Sequence, residues 1–211
     1  LSNMPKIVNA ISATNTPLVR LSTGEKTGKK YTVETNDRES CAEMTRYLAS
    51  LGHERIAFIT GHPSHKAIKS RFLGYQDGLR QSSLPFLEDL VAGGDNSSGS
   101  GEACANELLA LAQPPTAIFA ANDDMAAGVI RAANKLHIDV PGQLSVAGFD
   151  NISLGQQIYP SLTTIHQPLA EMAERAALAL IGDPGNGSTL QGKDVVPARL
   201  VIRESTGPAP R

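Results

Sequence analysis

Apolar runs of strand length alternate along the chain with stretches in which apolar residues recur every three or four positions, the period of a helix. The strand-like runs lie at residues 55–60, 89–92, 117–121 and 144–149. The helical stripes between them include Cys41, Met44, Leu48 and Leu51 in one case, and Ala126, Val129 or Ile130, and Ala133 in another. Strands that alternate with helices at this spacing are typical of βαβ units. The sequence therefore predicts an α/β fold with a mostly parallel sheet and helices on both faces.

Two segments break this regularity. Residues 1–35 contain the tail of a helix at 5–13 and short strands at 17–21 and 31–35, and residues 165–181 turn from an extended segment into a long helix. Neither segment is large enough to fold alone, so we interpret both as parts of a second lobe. The predicted division places 1–35 and 167–190 in an incomplete N-terminal lobe, and 36–166 and 191–211 in a C-terminal lobe.

Composition narrows the classes of function. The formal net charge is −2, and the charged residues are scattered, so the chain lacks the basic face typical of nucleic-acid binding. No apolar run approaches the ~20 residues that span a bilayer, and the first residues lack the pattern of a secretory signal. The two cysteines, Cys41 and Cys104, are too far apart for a metal or redox motif, so we predict buried, inert thiols in a reducing compartment.

Polar residues follow two consecutive predicted strands at the point where each strand ends. The run at 117–121 is followed by Asn122, Asp123 and Asp124, and the run at 144–149 is followed by Asp150. In an open parallel sheet, ligands bind in the crevice beyond the carboxyl ends of the strands. This arrangement predicts a small-molecule cleft.

Five segments in this order resemble the effector-binding core of the lactose/galactose repressor (LacI/GalR) family of bacterial transcription regulators. They are LGHERIAFITG (51–61), SRFLGY (70–75), PTAIFAANDDMAAG (115–128), LSVAGFDN (144–151) and PSLTTIHQP (160–168). Each segment alone would also fit a periplasmic sugar-binding protein, which is similar in fold. Together they resemble the repressor branch.

The resemblance implies a two-lobed, periplasmic-binding-protein-like fold whose first lobe is incomplete here, with Leu1 at a truncation boundary. It implies a cytoplasmic, homodimeric regulator that is not an enzyme, uses no cofactor or metal, and binds a small-molecule effector, by default a carbohydrate. Operator DNA would be bound only through an N-terminal helix-turn-helix that this chain lacks. The alternatives are an exported sugar-binding protein of a transport system and a Rossmann-type enzyme. The enzyme is disfavoured because no Gly-x-Gly-x-x-Gly fingerprint follows a strand.

The resemblance also implies a set of ligand-binding residues. Arg71 matches the family arginine whose guanidinium reaches into the cleft, where its planar donors suit neighbouring hydroxyls or a carboxylate. Asp150 matches a hydroxyl-accepting aspartate, although it could simply form a turn. Asn122 can donate and accept, and it could also cap the helix that begins at Asp123.

Five further candidates are less distinctive. Gln167 matches a position at the lobe crossover, where hinge support is the rival role. Ser22 falls where some family members carry an acid, and Asn96 falls where many carry an aromatic that stacks on a sugar. His65 and Lys69 lie on the helix entry before Arg71, with solvated surface as the alternative. If both face inward, an acidic or phosphorylated sugar becomes plausible.

Overall fold

The computed structural model of the protein describes residues 10–11, 13–14, 16–21, 31–181 and 192–210. Most of the described chain folds around a four-stranded parallel sheet with the strand order β4-β3-β5-β6. Its strands are β3 (Ile56–Thr60), β4 (Val91–Gly93), β5 (Ala117–Ala120) and β6 (Ser145–Ala147). The two central strands, β3 and β5, are almost entirely buried because helices cover parallel sheets on their faces.

Two pairs of helices flank this sheet. The first pair is α1 (Asp37–Ser50) and α2 (Lys66–Gln81), and the second is α3 (Ser98–Leu109) and α4 (Asp123–Lys135). Glycines at the contacts let the helix backbones approach closely. A Cβ at Gly74 would lie 2.2 Å from the carbonyl oxygen of Arg38, and one at Gly128 would lie 2.0 Å from that of Ser98. Larger side chains at these positions would push the helices of each pair apart.

A second parallel sheet contains strands from both ends of the chain. Its order is β1-β2-β8, formed by β1 (Val19–Leu21), β2 (Tyr31–Thr35) and β8 (Gly192–Val196). Helix α6 (Leu169–Ile181) packs on it through a small core of Val33, Met172, Ala176 and Val196. The pairing of β8 with β2 differs from the sequence prediction, which grouped 191–211 with the other lobe. The run from 192 to 196, GKDVV, is mostly polar, so its hydrophobicity gave no sign of a strand.

Four short elements complete the described fold. They are the 3₁₀ turn Glu88–Leu90, the short helix α5 (Leu154–Gln157), and the antiparallel pair β7 (Thr164–His166) and β9 (Arg199–Val201). Isolated bridges join Ala147 to Thr163 and Asp150 to His166. The chain from 163 to 166 therefore runs beside the end of β6 and leads into the second sheet's helix.

The structure agrees with the predicted α/β class, the parallel sheet and the predicted helical stripes. Of the first predicted helix, Ala10, Ile11 and Ala13 are helical, and the rest lies outside the described residues. Cys41 and Cys104 are free and buried, and burial raises the pKa of both thiols, which keeps them protonated and unreactive. Among the described helices, none is both long and apolar enough to cross a membrane.

Candidate functional site

The carboxyl ends of the four parallel strands meet along one edge of the main sheet. The residues that follow them include Asn96 after β4, Asn122 after β5 and Asp150 after β6. Helix α2, which follows β3, adds Arg71 to the same edge. The sheet topology therefore brings together side chains that are separated by up to 79 positions in sequence, the span from Arg71 to Asp150.

Arg71 lies at the centre of this edge and is only 6% exposed. Its Nε donates to Asp37 Oδ2 at 3.1 Å, its Nη1 donates to the carbonyl oxygen of Ala121 at 2.6 Å, and its Nη2 lies 3.4 Å from Asp150 Oδ1. The guanidinium carbon stands 3.6 Å above the centre of the Phe149 ring. The guanidinium is thus held in one plane by two carboxylates, a carbonyl and an aromatic face.

Asp150 is the most accessible charged group of this cluster, with its side chain 30% exposed. Gln167 Nε2 donates to Asp150 Oδ1 at 3.1 Å, so the predicted crossover glutamine reaches the predicted cleft aspartate. Burial raises the pKa of Asp150 to about 6, Arg71 opposes that shift, and the charge of Asp37 adds to it. Asp150 therefore presents acceptor oxygens to solvent at neutral pH.

Asn122 performs the capping role that was its alternative interpretation. Its Oδ1 accepts the backbone N–H of Met125 at 2.9 Å, which caps α4. Its Nδ2 donates to the carbonyl oxygen of Asn96 at 3.0 Å. Asn96 has a left-handed backbone with φ of +77°, and its Oδ1 accepts the N–H of His62 at 3.3 Å. The two asparagines are thus linked to each other along the sheet edge.

Of the last three candidates, two lie away from the buried cluster and the third is not placed. His65 directly precedes α2 and is exposed, with its ring centre 6.0 Å from that of His62. Lys69 is exposed one turn later on the same helix. Ser22 lies outside the described residues, so the structure does not place it.

Two further carboxylates at this edge are buried, and neither was among the predicted ligand-binding residues, although the sequence placed Asp123 in a polar run at the end of a strand. Asp37 is 5% exposed, accepts from Arg71 and from the Thr35 hydroxyl, and begins α1, separated by one residue from the end of β2. Asp123 is 1% exposed and begins α4, and burial raises its pKa to about 7. The signal that identified Asp150, a carboxylate just past a strand, was present at both positions and would have found them.

Next to the cluster, and sharing Asp37 with it, is a cavity of about 230 Å³. It lies between the end of β2, the start of α1, Ala67 and Ser70 on α2, and Lys193 and Val195 on β8. It therefore separates the main sheet's helices from the second sheet. Among the described residues, no group of three or more His, Cys, Asp or Glu side chains could hold a metal ion.

Comparison with known proteins identifies the family. The family model for the periplasmic binding protein-like domain matches residues 45–206, well over half of the chain. The chain belongs to this family. The matched region contains Arg71, Asp150 and Gln167, whereas Asp37 precedes it.

The relatives of this periplasmic binding protein-like chain are LacI/GalR-type regulators, which confirms the resemblance. The HTH-type transcriptional regulator DegA of Bacillus subtilis (strain 168) is 41% identical over 167 residues, which cover 79% of this chain and 49% of the relative. The HTH-type transcriptional repressor CytR of Escherichia coli (strain K12) is 35% identical over 179 residues, covering 85% and 52%. The chain thus spans about half the length of the curated relatives it matches.

Solved structures show the same fold. A LacI family transcriptional regulator from Enterococcus faecium, crystallised with bound ribose, superimposes with a TM-score of 0.87 at 27% identity, covering 98% of this chain and 76% of that one. A putative LacI transcriptional regulator from Bacillus cereus subsp. cytotoxis gives a TM-score of 0.88 at 28% identity, covering 97% and 73%. The predicted periplasmic-binding-protein-like fold is confirmed, while the ligand-binding roles of individual residues stay predictions.

Proposed function

We propose that this chain is the effector-sensing core of a LacI/GalR-type transcriptional regulator, and that it binds a sugar or related metabolite at the carboxyl edge of the main sheet. One observation carries the proposal: Asp150 and Arg71 meet at 3.4 Å at this edge, with Asp150 still 30% exposed. A fixed donor plane beside an accessible acceptor suits adjacent hydroxyls of a polyol. The Enterococcus faecium relative with bound ribose supports this class of ligand.

The charges around Arg71 favour a neutral ligand. Asp37 and Asp150 both lie against its guanidinium, so the buried cluster has no spare positive charge with which to hold an anion. The basic candidates from the sequence, His65 and Lys69, are exposed, and Arg38 and Lys193 beside the neighbouring cavity are each paired with a carboxylate. We therefore favour a neutral sugar over a sugar acid or sugar phosphate, although the structure of one Escherichia coli relative is a complex with phosphate.

The mechanism we propose is a shift between two arrangements of the sheets. Asp37 lies at the junction of β2 in the second sheet and α1, while Arg71 lies on α2 and Asp150 follows β6 of the main sheet. The Arg71 guanidinium contacts both Asp37 and Asp150. A ligand that takes over one of these contacts would favour one arrangement of the two sheets over the other. The shift can be no larger than the ligand's differential affinity for the two arrangements.

We also propose how DNA recognition, assembly and location fit this function. DNA recognition would belong to a segment outside these residues, since the named relatives are HTH-type regulators about twice as long as the matched region. We further propose a homodimer in the cytoplasm without enzymatic activity. The regulator names of the relatives favour this assignment over an exported sugar-binding protein.

Thermal-shift screening tests the ligand proposal. Neutral sugars, beginning with ribose and cellobiose, are expected to raise the melting temperature of the 211-residue chain, because a ligand at 100 times its Kd adds about 2.7 kcal/mol to the free energy of unfolding. The matching sugar acids and sugar phosphates are expected to give smaller shifts. Stabilisation by the anions alone would contradict the charge argument, and stabilisation only by purines or amino acids would contradict the carbohydrate assignment.

A further inference from the structure

Asp123 is a buried carboxylate at the start of α4 that accepts side-chain hydrogen bonds from two segments outside that helix. Acidic residues at such positions usually serve the helix, by capping it or by interacting with its dipole. Here the cap is Asn122, whose Oδ1 accepts the N–H of Met125. The contacts of Asp123 therefore need a different explanation.

The carboxylate of Asp123 joins two segments that flank Asp150 in space. Its Oδ1 accepts from the Thr164 hydroxyl on β7 at 2.5 Å, and its Oδ2 accepts the backbone N–H of Ile152 at 2.9 Å. Because residue 148 is a glycine, there is space for the Asp123 carboxylate; a Cβ at this position would lie 2.4 Å from Asp123 Oδ1. One carboxylate thus links α4 with the loop after β6 and with the strand beside it.

The loop that Asp123 holds has an unusual backbone. Asp150 has a φ of +114° and Asn151 a φ of +57°, values that residues with a side chain rarely adopt and that persist only when surrounding contacts fix them. On one side, the N–H of Asp150 donates to the carbonyl of Ile165 at 2.9 Å. On the other side, Asp123 accepts the N–H of Ile152. The side chain of Asn151 is also held, since its Oδ1 accepts from Arg203 Nη2 at 2.6 Å and its Nδ2 lies 3.0 Å from His166 Nδ1. The backbone bonds at Asp150 and Ile152 lie on either side of the left-handed pair of residues.

We propose that Asp123 is the positioning residue for Asp150: its buried carboxylate fixes the left-handed loop 150–152 and so aims the Asp150 side chain at Arg71. The consequence for effector binding rests on the proposed function, but the positioning itself does not. Without the Asp123 carboxylate, the Asp150 side chain would lose its preorganised orientation. Burial raises the pKa of Asp123 to about 7, and the hydrogen bonds that it accepts from Thr164 and Ile152 oppose that shift.

The first test needs no ligand. In the isotopically labelled 211-residue chain, Asp123→Ala is expected to speed amide hydrogen exchange at Ile152 by about tenfold or more, the effect of losing a buried hydrogen bond, and to change the φ-dependent coupling constants of Asp150 and Asn151. Asp123→Asn is expected to keep both properties, since its amide can accept from Ile152 and donate to the Thr164 oxygen. Asp124→Ala, at the exposed neighbouring position, is the matched control and is expected to change neither.

Thr164→Val provides a second perturbation if Asp123→Ala does not fold, because it removes only the hydroxyl that donates to Asp123. We expect it to accelerate exchange at Ile152 by less than the alanine variant. Unchanged exchange and coupling in Asp123→Ala, or in Thr164→Val where the alanine variant does not fold, would overturn the proposal. So would an Asp123→Asn variant as strongly perturbed as the alanine variant.

The second test measures D-ribose binding by titration calorimetry. Asp123→Ala is expected to raise the Kd by about tenfold, equivalent to one lost oriented contact, and Asp123→Asn is expected to restore the wild-type Kd to within a small factor. Equal Kd values in wild type and Asp123→Ala would overturn the proposed effect on binding. If wild type does not bind ribose, the choice of ligand is contradicted, while the exchange measurements still decide the role of Asp123.

Discussion

Replacing Arg71 with alanine is expected to lower the free energy of unfolding by about 3–5 kcal/mol, the usual result of removing one partner from a buried ion pair. Arg71 is 6% exposed and lies against Asp37 and Asp150. Without it, the carboxylate of Asp37 keeps the Thr35 hydroxyl but loses its buried countercharge. The ring of Phe149 also loses the cation above it. The destabilisation should therefore exceed that of a lost surface contact.

Urea unfolding monitored by circular dichroism measures this effect, with Arg38→Ala as the control. Arg38 also pairs with an aspartate, Asp77, but its side chain is 50% exposed, so its loss should leave the midpoint almost unchanged. Adding Asp37→Asn to Arg71→Ala should recover part of the loss, because it removes the uncompensated charge. An Arg71→Ala variant as stable as Arg38→Ala would show that the buried cluster does not contribute to stability.

Replacing Asp123 with asparagine is expected to change how stability depends on pH. Burial raises the pKa of Asp123 to about 7 from 3.8, so the native state keeps a proton between these values that the unfolded state releases. Stability from this group is therefore greatest at low pH and is lost as the pH rises toward the native pKa. Asparagine has no proton to release. Relative to the asparagine variant, the wild type should lose roughly 2–3 kcal/mol between pH 5 and pH 8.

The measurement is a series of urea unfolding curves from pH 5 to pH 8 for both proteins. Asp150, whose pKa is raised to about 6, titrates in the same window in both proteins, and its charge raises the pKa of Asp123, so the difference between the two curves reports Asp123 together with this coupling. Asp124→Asn makes the same change in charge at an exposed position and should run parallel to the wild type. Parallel curves for Asp123→Asn and wild type would mean that Asp123 is ionised throughout this range.

Hydrophobic periodicity predicted the main sheet well because its strands and helices are buried on the faces that the pattern marks. The predicted runs at 55–60 and 117–121 match β3 and β5 to within one residue at each end. Strand β8 escaped prediction because only Val196 of its five residues is buried. Its place is set by pairing with β2, a contact between residues about 160 positions apart that periodicity does not report.

The candidate site, too, was predicted only in part from the sequence. The rule that ligands bind beyond the ends of parallel strands located Asn122 and Asp150, and the resemblance to LacI/GalR regulators added Arg71 and Gln167. The structure joins Arg71, Asp150 and Gln167 directly. Asp37 lies just past a strand, as Asp150 does, but its pairing with Arg71, 34 residues away on another element, cannot be read from the sequence. For Asp123, the spacing in sequence gives no indication that Thr164 and Ile152 converge on one carboxylate.

The most direct test of the account is a crystal structure of the chain with the neutral sugar that stabilises it most in the thermal-shift screen. The account predicts the sugar at the carboxyl edge of the main sheet, with hydroxyls within about 3 Å of the Asp150 carboxylate and the Arg71 guanidinium. A sugar bound elsewhere on the protein, with Asp150 and Arg71 contacting only each other and their present partners, would contradict it.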